Sequence, residues 1–176
     1  MSVKIRNLDR TELADIWTID RSEVIDKVHH HENGELVLKD EHYNVTGWHP
    51  DQIKKDSDVL LDCFDAGGSF LGAFASNELV GVCVLESRFL HRSSDQLQLK
   101  FLHVSRRHRG SGLGRELFQK AADKARSSGA SSLYISATPS ENAVRFYQSL
   151  GCSLIKQPDP ELFALEPEDI HMELLL

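Results

Sequence analysis

The sequence contains little cysteine and no long apolar run, and both absences exclude classes of protein. Its three cysteines, Cys63, Cys83 and Cys152, are odd in number and form no Cys-x-x-Cys pair, which argues against a disulfide framework and a structural zinc site. No apolar stretch approaches the roughly 18 residues of a membrane-spanning helix, and the first residues lack the basic-then-apolar order of a secretion signal. We therefore expect a cytoplasmic protein that makes no membrane contact.

Positive charge is scarce in the first third of the chain. Residues 1–66 carry 8 Lys/Arg and 15 Asp/Glu, whereas residues 100–126 carry 8 Lys/Arg and only 2 Asp/Glu. Basic residues confined to one segment, without a broad basic stripe, argue against nucleic acid binding. The acidic first third is suited to a cationic partner, but it is equally consistent with acidic surfaces that only keep the protein soluble.

Histidines are concentrated in one segment, where a metal site would be the obvious hypothesis. His29, His30 and His31 are consecutive, and His42 and His49 follow them. Consecutive residues on a strand point to opposite faces, so the three cannot converge on one ion. We expect these histidines to be polar surface residues of a β-hairpin that bind no metal.

The pattern of apolar residues predicts one α/β domain over residues 1–176. The expected fold has three layers, with a mixed, mostly antiparallel central sheet of about seven strands flanked by helices on both faces. A right-handed helical crossover makes strand 133–137 parallel to strand 97–104, and a cleft is expected where these two strands part. The predicted strands are 3–8, a hairpin over 29–45, 70–75, 79–88, 97–104, 133–137, one starting at 152, and 170–176. The predicted helices run from Asp9 or Thr11 to 28, from 50 to 65, from 113 to 128, and up to residue 150.

A glycine-rich turn flanked by arginines connects the predicted strand and helix. It reads Leu102-His-Val-Ser-Arg-Arg-His-Arg-Gly-Ser-Gly-Leu-Gly-Arg115. Glycines let successive backbone N–H groups converge, and a helix that begins near Leu113 adds the positive end of its dipole. The turn is therefore predicted to bind an anion, and a diphosphate would fit. The alternative is an ordinary tight turn.

Two common phosphate-binding motifs do not match this turn. A nucleoside-triphosphate loop needs a lysine directly after its last glycine, and no lysine stands there. A dinucleotide-binding turn needs Gly-x-Gly-x-x-Gly near the start of its domain, whereas Gly110, Gly112 and Gly114 are spaced Gly-x-Gly-x-Gly late in the chain. What remains is Arg-x-x-Gly-x-Gly, formed by Arg107, Gly110 and Gly112.

This pattern is followed about thirty residues later by Glu141-Asn-Ala-Val-Arg-Phe-Tyr-Gln-Ser-Leu-Gly-Cys152. The combination resembles the GNAT superfamily of acyl-CoA-dependent N-acetyltransferases, over roughly residues 68–157. The resemblance implies acetyl-CoA as the acyl donor, with its diphosphate on the glycine turn and its pantetheine arm along the preceding strand. The residues expected to bind it are Leu102, His103, Val104, Arg109, Gly110, Ser111, Gly112, Leu113, Gly114, Arg115 and Asn142, with Arg107 a weaker electrostatic contributor.

Tyr147 matches the family's usual proton donor to the departing thiolate. A phenol can protonate a thiolate when the two are close. Helical spacing alone supports another interpretation, because Ala143, Phe146, Tyr147 and Leu150 would form one buried face.

The group that accepts the proton of the amine is harder to assign. Gln98 occupies the strand position where several family members carry a catalytic glutamate, and an amide can orient an amine or water but cannot accept its proton. Glu86 is our first candidate for the base, because an acid near the end of an apolar strand is expected to have a raised pKa. The alternative is that Glu86 is a solvated charge at the strand end. Asp95, His91 and His103 are further candidates for the base.

The resemblance therefore implies transfer of an acetyl group from acetyl-CoA to a primary amine. Direct attack is expected, because no activated nucleophile is evident and nothing near Cys152 would lower its pKa. The acceptor would be a small amine or a peptide, with residues 1–67 as the variable acceptor-side portion. The alternative is a catalytically inactive module that binds or senses acyl-CoA, as Gln98 would allow. The apolar residues 172–176 are suited to pairing with a second copy in a homodimer.

Overall fold

The computed structural model describes residues 2–176. The strands are β1 (Val3–Asn7), β2 (Glu23–Glu32), β3 (Glu35–Val45), β4 (Ser69–Ala75), β5 (Glu78–Phe89), β6 (Gln96–Val104), β7 (Ser132–Ala137), β8 (Ser153–Leu154) and β9 (Ile170–Leu175). The α-helices are α1 (Pro50–Asp65), α2 (Leu113–Ser127), α3 (Glu141–Ser149) and α4 (Pro160–Leu165), and short 3-10 helices cover Arg10–Thr18 and Arg106–His108.

Seven strands form one sheet in the order β1-β4-β5-β6-β7-β9-β8, and β2 and β3 form a separate hairpin. The β6–β7 pair is parallel, while the other neighbours in the sheet are antiparallel. The predicted mixed sheet, its size and the parallel crossover are confirmed.

The sheet is covered on both faces, which confirms the three-layer architecture. Along β5, Cys83 and Leu85 pack into a cluster with the buried side of α2 and α3. The alternate residues Val82 and Val84 pack into a second cluster with α1 and the first 3-10 helix. This alternation follows from the two-residue period of a strand, which sends successive side chains to opposite faces.

The predicted helix from Asp9 or Thr11 to residue 28 is wrong. A 3-10 helix ends at Thr18, and β2 begins at Glu23. Asp20 breaks the helical pattern, because its Oδ1 accepts a hydrogen bond from the backbone N–H of Ser22 at 2.9 Å. The β-branched residues after this turn then pair with β3, as β-branched side chains prefer.

Two features near the C-terminus also differ from the predictions. Helix α4 was missed, although Asp159 caps it by accepting from the N–H groups of Glu161 and Leu162, and Pro160 occupies its first turn. β9 lies inside the sheet, because β8 pairs with its residues Met172 and Glu173. Met172 and Glu173 thus have a neighbouring strand on each side, so they offer no free sheet edge to a second copy of the chain.

The parallel strands separate halfway along β6. Pairing with β7 runs from Gln96 to Leu99, and β6 continues beyond it paired with β5 alone. The β5–β6 register slips by one residue at Lys100, since Leu85 pairs with Leu99 and Val84 with Phe101. Such a bulge bends a strand. The second half of β6 consequently leaves a gap beside β7.

Within residues 2–176, no helix is long and apolar enough to cross a membrane.

Candidate active site

A cleft of about 800 Å³ opens where β6 and β7 part. It is lined by the turn before α2, by the second half of β6 and by the first two turns of α3. Gln52 and Asp56 of α1 and Glu166 and Asp169 of the segment before β9 line it as well. The predicted cleft between the parallel strands is thus present.

The turn at the mouth of the cleft has the backbone that its glycines permit. Gly110 and Gly112 have φ angles of 75° and 88°, in a backbone region that residues with a side chain rarely adopt. A Cβ at either position would meet no atom within 4 Å, so the space over the turn is open. Gly112 is the N-cap of α2 and has no side chain to cap the helix. The first N–H groups of α2 are therefore free of a side-chain cap, and an anion can accept from them.

Arginine and asparagine side chains border this open space. Arg109 donates from Nε to the carbonyl of Val104 at 3.0 Å and from Nη1 to the carbonyl of Ser22 at 3.2 Å, which fixes its guanidinium at the cleft. Asn142, in the first turn of α3, donates to Oε1 of Glu23 at 3.2 Å. Oε2 of Glu23 lies 3.9 Å from Nη1 of Arg109. A carboxylate thus already sits among the groups that would hold a phosphate.

Most of the residues expected to bind the acyl donor line the cleft. They are Leu102, His103, Val104, Arg109, Gly110, Gly112, Gly114, Arg115 and Asn142. The other two expected residues support the turn: Ser111 donates from Oγ to the carbonyl of His108 at 2.6 Å, and Leu113 is buried in the core. Arg107 forms an ion pair with Glu78, and Arg106 lines the cleft instead.

Tyr147 is 9% exposed and lines the cleft from α3. Its ring packs against Phe146 and Phe118, with centroid distances of 5.1 and 6.0 Å, so it contributes to the core as well. Burial is the main reason that its pKa is raised, and the neighbouring Cys83, Cys152 and Asp169 act in the same direction. Tyr147 therefore stays protonated at neutral pH, as a proton donor must.

The expectation of a raised pKa at Glu86 is wrong. Burial favours its neutral form, but hydrogen bonds from the Arg88 side chain and the Ser87 N–H, together with the charge of Lys100, outweigh burial and lower the pKa. Nζ of Lys100 lies 3.5 Å from Oε2 of Glu86. A carboxylate held by these cations is a weak base. Neither Glu86 nor Gln98 is one of the described residues that line the cleft.

The further candidates for the base are no better placed. Burial and the charges of Arg21 and Arg109 lower the pKa of His103 to about 3, so its ring is neutral but holds a proton too weakly for a base. Its ring packs between Trp48 and Phe101, with centroid distances of 4.8 and 4.5 Å. Asp95 lies before the start of β6 and accepts from Oγ of Ser131 at 2.5 Å.

Several residues at the cleft were not expected from the sequence. They are Arg21, Gln52, Asp56, Lys100, Arg106, Thr138, Ser140, Glu166 and Asp169. Arg21 donates to Oε1 of Gln52 at 2.6 Å and lies over the Trp48 ring, 4.7 Å from its centroid. Burial raises the pKa of Asp56. Only Ser140 had a local signal, since a serine directly before a helix with Glu141 in its first turn is a typical N-cap.

The histidines of the hairpin and the cysteines are not among the described residues that line the cleft. His42 contacts Asp26 at 2.7 Å, and His30 pairs with Glu41. Across residues 2–176, no three His, Cys, Asp or Glu side chains are grouped to hold a metal ion. The three cysteines are free and buried, and burial raises the pKa of Cys152 to about 12, which suppresses its thiolate.

Comparison with known proteins decides the family. The sequence model of the Acetyltransferase (GNAT) family matches residues 35–152, about two thirds of the chain. This chain belongs to the GNAT family of acetyltransferases. The match begins at residue 35 rather than 68, so it includes β3 and α1, which the sequence resemblance had left out. Enzymes of this family use acetyl-CoA as the acyl donor, and the open turn, its arginines and the adjoining cleft fit that molecule.

Solved structures of acetyltransferases share the fold. A nourseothricin acetyltransferase has a TM-score of 0.72 at 21% identity, with 99% of each chain covered. A protein from Bacillus anthracis str. Ames, described as a streptothricin acetyltransferase and solved with acetyl coenzyme A, has a TM-score of 0.75 at 18% identity, covering 100% of this chain and 99% of that chain. PaiA N-acetyltransferase from Thermoplasma acidophilum, solved with coenzyme A, has a TM-score of 0.66 at 18% identity, with both chains fully covered. At these identities the likeness establishes the fold alone. A comparison with curated proteins finds no match.

Proposed function

We propose that this enzyme transfers the acetyl group of acetyl-CoA to a primary amine by direct attack of the amine on the thioester. One observation supports the proposal: a single cleft is lined by the open glycine turn, by Tyr147 and by a wall of carboxylates. A donor bound by its diphosphate at the turn would extend its thioester toward that wall.

The donor would be held mainly by backbone groups. The N–H groups at the start of α2 would bind the diphosphate, with Arg109 and Arg115 providing charge. The exposed polar groups of residues 102–104, where β6 has lost its parallel partner, would pair with the amides of the pantetheine arm. Asn142 would exchange its bond to Glu23 for a contact with the donor.

Tyr147 would then complete the reaction at the sulfur. The amine nitrogen forms a bond to the carbonyl carbon and gives up one proton, and the carbon–sulfur bond breaks with its electron pair on sulfur. The Tyr147 hydroxyl donates its proton to that thiolate, which is the role that its protonated state and its place in the cleft support. Cys152 forms no covalent intermediate in this scheme, because its thiol stays protonated.

The acceptor is proposed to be a cationic amine, such as a polyamine, an aminoglycoside-like compound or a basic peptide. Asp56, Glu166 and Asp169 all line the cleft. Carboxylates there would attract an ammonium group and disfavour anionic competitors. Asp56 belongs to residues 1–67, which supports assigning that portion to the acceptor side.

The proposal is tested by measuring thiol release from acetyl-CoA with a panel of amines, namely spermidine, kanamycin and a lysine-containing peptide. We expect release with at least one amine. Tyr147→Phe should lower kcat by about 100-fold, because general acid catalysis contributes roughly 10² to 10⁴. Its affinity for acetyl-CoA, measured by calorimetry, should stay within about twofold of the wild-type value, since the variant removes only the hydroxyl.

Phe146→Leu is the matched control, because it changes a neighbouring ring of the same cleft wall and leaves the hydroxyl in place. A normal kcat in Tyr147→Phe would contradict the acid assignment. Acetyl-CoA binding without thiol release from any amine would instead indicate an acyl-CoA sensor.

A further inference from the structure

The proposed reaction lacks a group that removes the proton of the amine. An alkyl ammonium with a pKa near 10.4 is less than about 0.1% neutral at pH 7, so the protein must provide a base or its equivalent. Glu86 is held by Arg88 and Lys100, and the pKa of His103 is too low. Gln98 has no basic atom. The base is therefore to be sought among the other residues that line the cleft.

Asp169 occupies the position that this role requires. It lies directly before Ile170, which pairs with Ala137 at the end of β7, so it stands where the cleft opens beside that strand. The side chain lines the same cleft as Tyr147 and is close enough for its charge to act on the phenol. A proton donor and a potential proton acceptor thus face the same space.

A second carboxyl group lies beside Asp169. Its side chain is close enough to that of Glu166 for a hydrogen bond between the two carboxyl groups. Burial is the main reason that the pKa of Asp169 is raised to about 8, and the hydrogen bond and the charge of Glu166 add to the rise. A carboxylate with a pKa near neutrality accepts a proton from an amine far more readily than an ordinary aspartate.

The backbone that presents these carboxyls is fixed by a chain of hydrogen bonds. The carbonyl of Glu166 accepts from the N–H of Asp169 at 3.2 Å and from Nε2 of His171 at 3.0 Å. Because Nε2 donates, Nδ1 of the neutral ring accepts from the hydroxyl of Tyr134 at 2.7 Å. That hydroxyl in turn accepts from the N–H of Asp159 at 3.2 Å. Tyr134 and His171 are buried, so the turn from Glu166 to Asp169 is anchored to the core.

We propose that Asp169 is the catalytic base that accepts the proton of the attacking amine, with Glu166 as a positioning residue that shares its proton. The inference rests on the proposed acetyl transfer and adds its missing step. The Asp169 carboxylate first accepts one proton from the ammonium group, which leaves the nitrogen neutral. The nitrogen then bonds to the thioester carbon, and the carbon–sulfur bond breaks with its electron pair on the sulfur, which receives the proton of Tyr147. The second proton of the nitrogen passes through water to the Tyr147 phenolate, and Asp169 releases its proton to the solvent.

The ionisable groups around Asp169 come from five parts of the chain. They are Glu166 and Glu168 of its own segment, Tyr147 of α3, Asp56 of α1, His171 of β9, and His29, His30 and His31 of β2. Burial and, more weakly, the like charge of Glu166 raise the pKa of Asp56. The positive groups that line the cleft are Arg21, Lys100 and the arginines of the turn, and Arg21 is close enough to Asp56 to lower its pKa.

The test is the pH profile of kcat in three variants, with acetyl-CoA and the best acceptor among spermidine, kanamycin and a lysine-containing peptide. Asp169→Asn should lower kcat by about 100-fold or more and abolish the rise of kcat with pH near 8. Glu166→Gln should move that rise to lower pH, because it removes the charge that raises the pKa of Asp169. Glu168→Gln is the matched control; it removes a neighbouring carboxylate outside the cleft and should change neither quantity.

Two binding and stability measurements separate catalysis from structure. Asp169→Asn should bind acetyl-CoA like the wild type. Its Tm should not fall, and above pH 8 it should exceed the wild-type Tm, since a carboxyl with a raised pKa in the folded state loses stability as pH rises through that pKa. A residue with a purely structural role would lower Tm.

The outcomes distinguish this inference from the proposed function. If Asp169→Asn keeps its kcat and its pH profile, Asp169 is not the base and the acetyl transfer still stands. If Glu166→Gln leaves the profile in place, the shared proton is refuted. If the wild type binds acetyl-CoA but releases thiol with none of the three amines, the proposed function fails first and the base assignment fails with it.

Discussion

At the scale of the residue, Glu23 is the side chain whose position bears most directly on donor binding. Its carboxylate accepts from Asn142 and lies 3.9 Å from a guanidinium nitrogen of Arg109. These are the groups proposed to meet the acyl donor, which is itself an anion. Glu23 must therefore give up these contacts, and its negative charge then repels the phosphates nearby.

We predict that Glu23→Gln binds acetyl-CoA about two- to fivefold more tightly than the wild type. The factor corresponds to roughly 0.5–1 kcal/mol, which is typical of one partly exposed charge interaction. Calorimetry at low and high salt measures it, and the gain should shrink as salt rises because the charge is screened. Glu35→Gln, at the turn of the same hairpin, is the control and should leave the affinity unchanged. A weaker affinity in Glu23→Gln would show that Glu23 supports the donor site.

Individual residues also show how far the sequence could lead. The turn at Gly110 and Gly112 could be predicted, because a positive φ favours glycine and the conformation is therefore visible in the sequence. No sequence pattern marks Asp169 as a site residue. Its surroundings combine burial with Glu166 and Tyr147, and only the folded chain brings α3 beside the start of β9. The low pKa of Glu86 depends in the same way on Lys100, which reaches it from the neighbouring strand.

At the scale of the element, α3 carries both a residue proposed to contact the acyl donor and the proposed proton donor. Asn142 in its first turn reaches toward the donor side, and Tyr147 stands one turn later. The helix start is fixed by Ser140, whose Oγ accepts from the N–H of Ala143 at 3.3 Å. Ser140 also bridges to Val28 of the hairpin, and the His29 N–H donates to the Pro139 carbonyl at 2.7 Å. The hairpin therefore holds the entry to α3 in place.

Loss of this cap should be measurable. We predict that Ser140→Ala destabilises the fold by about 1–2 kcal/mol, because it leaves a partly buried N–H of α3 without its acceptor. Urea denaturation measures the change. Ser127→Ala, at the end of α2, removes a hydroxyl that only donates to the carbonyl of Lys124 and should stay within about 0.5 kcal/mol of the wild type. Equal stability of the two variants would refute the capping role of Ser140.

The elements were largely predictable where one periodicity dominated. The bounds of α1 and α2 and the strands of the main sheet follow from their apolar spacing and their terminal residues. The segment from Asp9 to residue 28 was not predictable in this way, because Leu13, Ile16 and Ile19 satisfy a helical pattern over the first half and β2 begins only after the turn at Asp20. Pairing of β2 with the adjacent strand β3 overrides the helical spacing of the apolar residues in this segment.

At the scale of the whole molecule, the basic segment and the acidic residues of the sequence meet in one cleft. Arginines of residues 106–115 line it together with the carboxylates of Asp56, Glu166 and Asp169. The sequence showed the basic segment and the acidic first third. It could not show that Glu166 and Asp169, near the C-terminus, complete the acidic wall, since that requires β9 to lie beside β7.

The central claim is that the open turn before α2 binds the diphosphate of acetyl-CoA, and calorimetry with Gly112→Asp tests it most directly. An aspartate there adds a negative charge and fills the open space, and we expect binding weaker by about 30-fold or more, or roughly 2 kcal/mol. Gly129→Asp is the matched control, because Gly129 has a φ of 90° against 88° at Gly112, and a Cβ there also meets no atom within 4 Å. It stands beyond the other end of α2 and should bind acetyl-CoA like the wild type. Undiminished binding by Gly112→Asp would contradict the account.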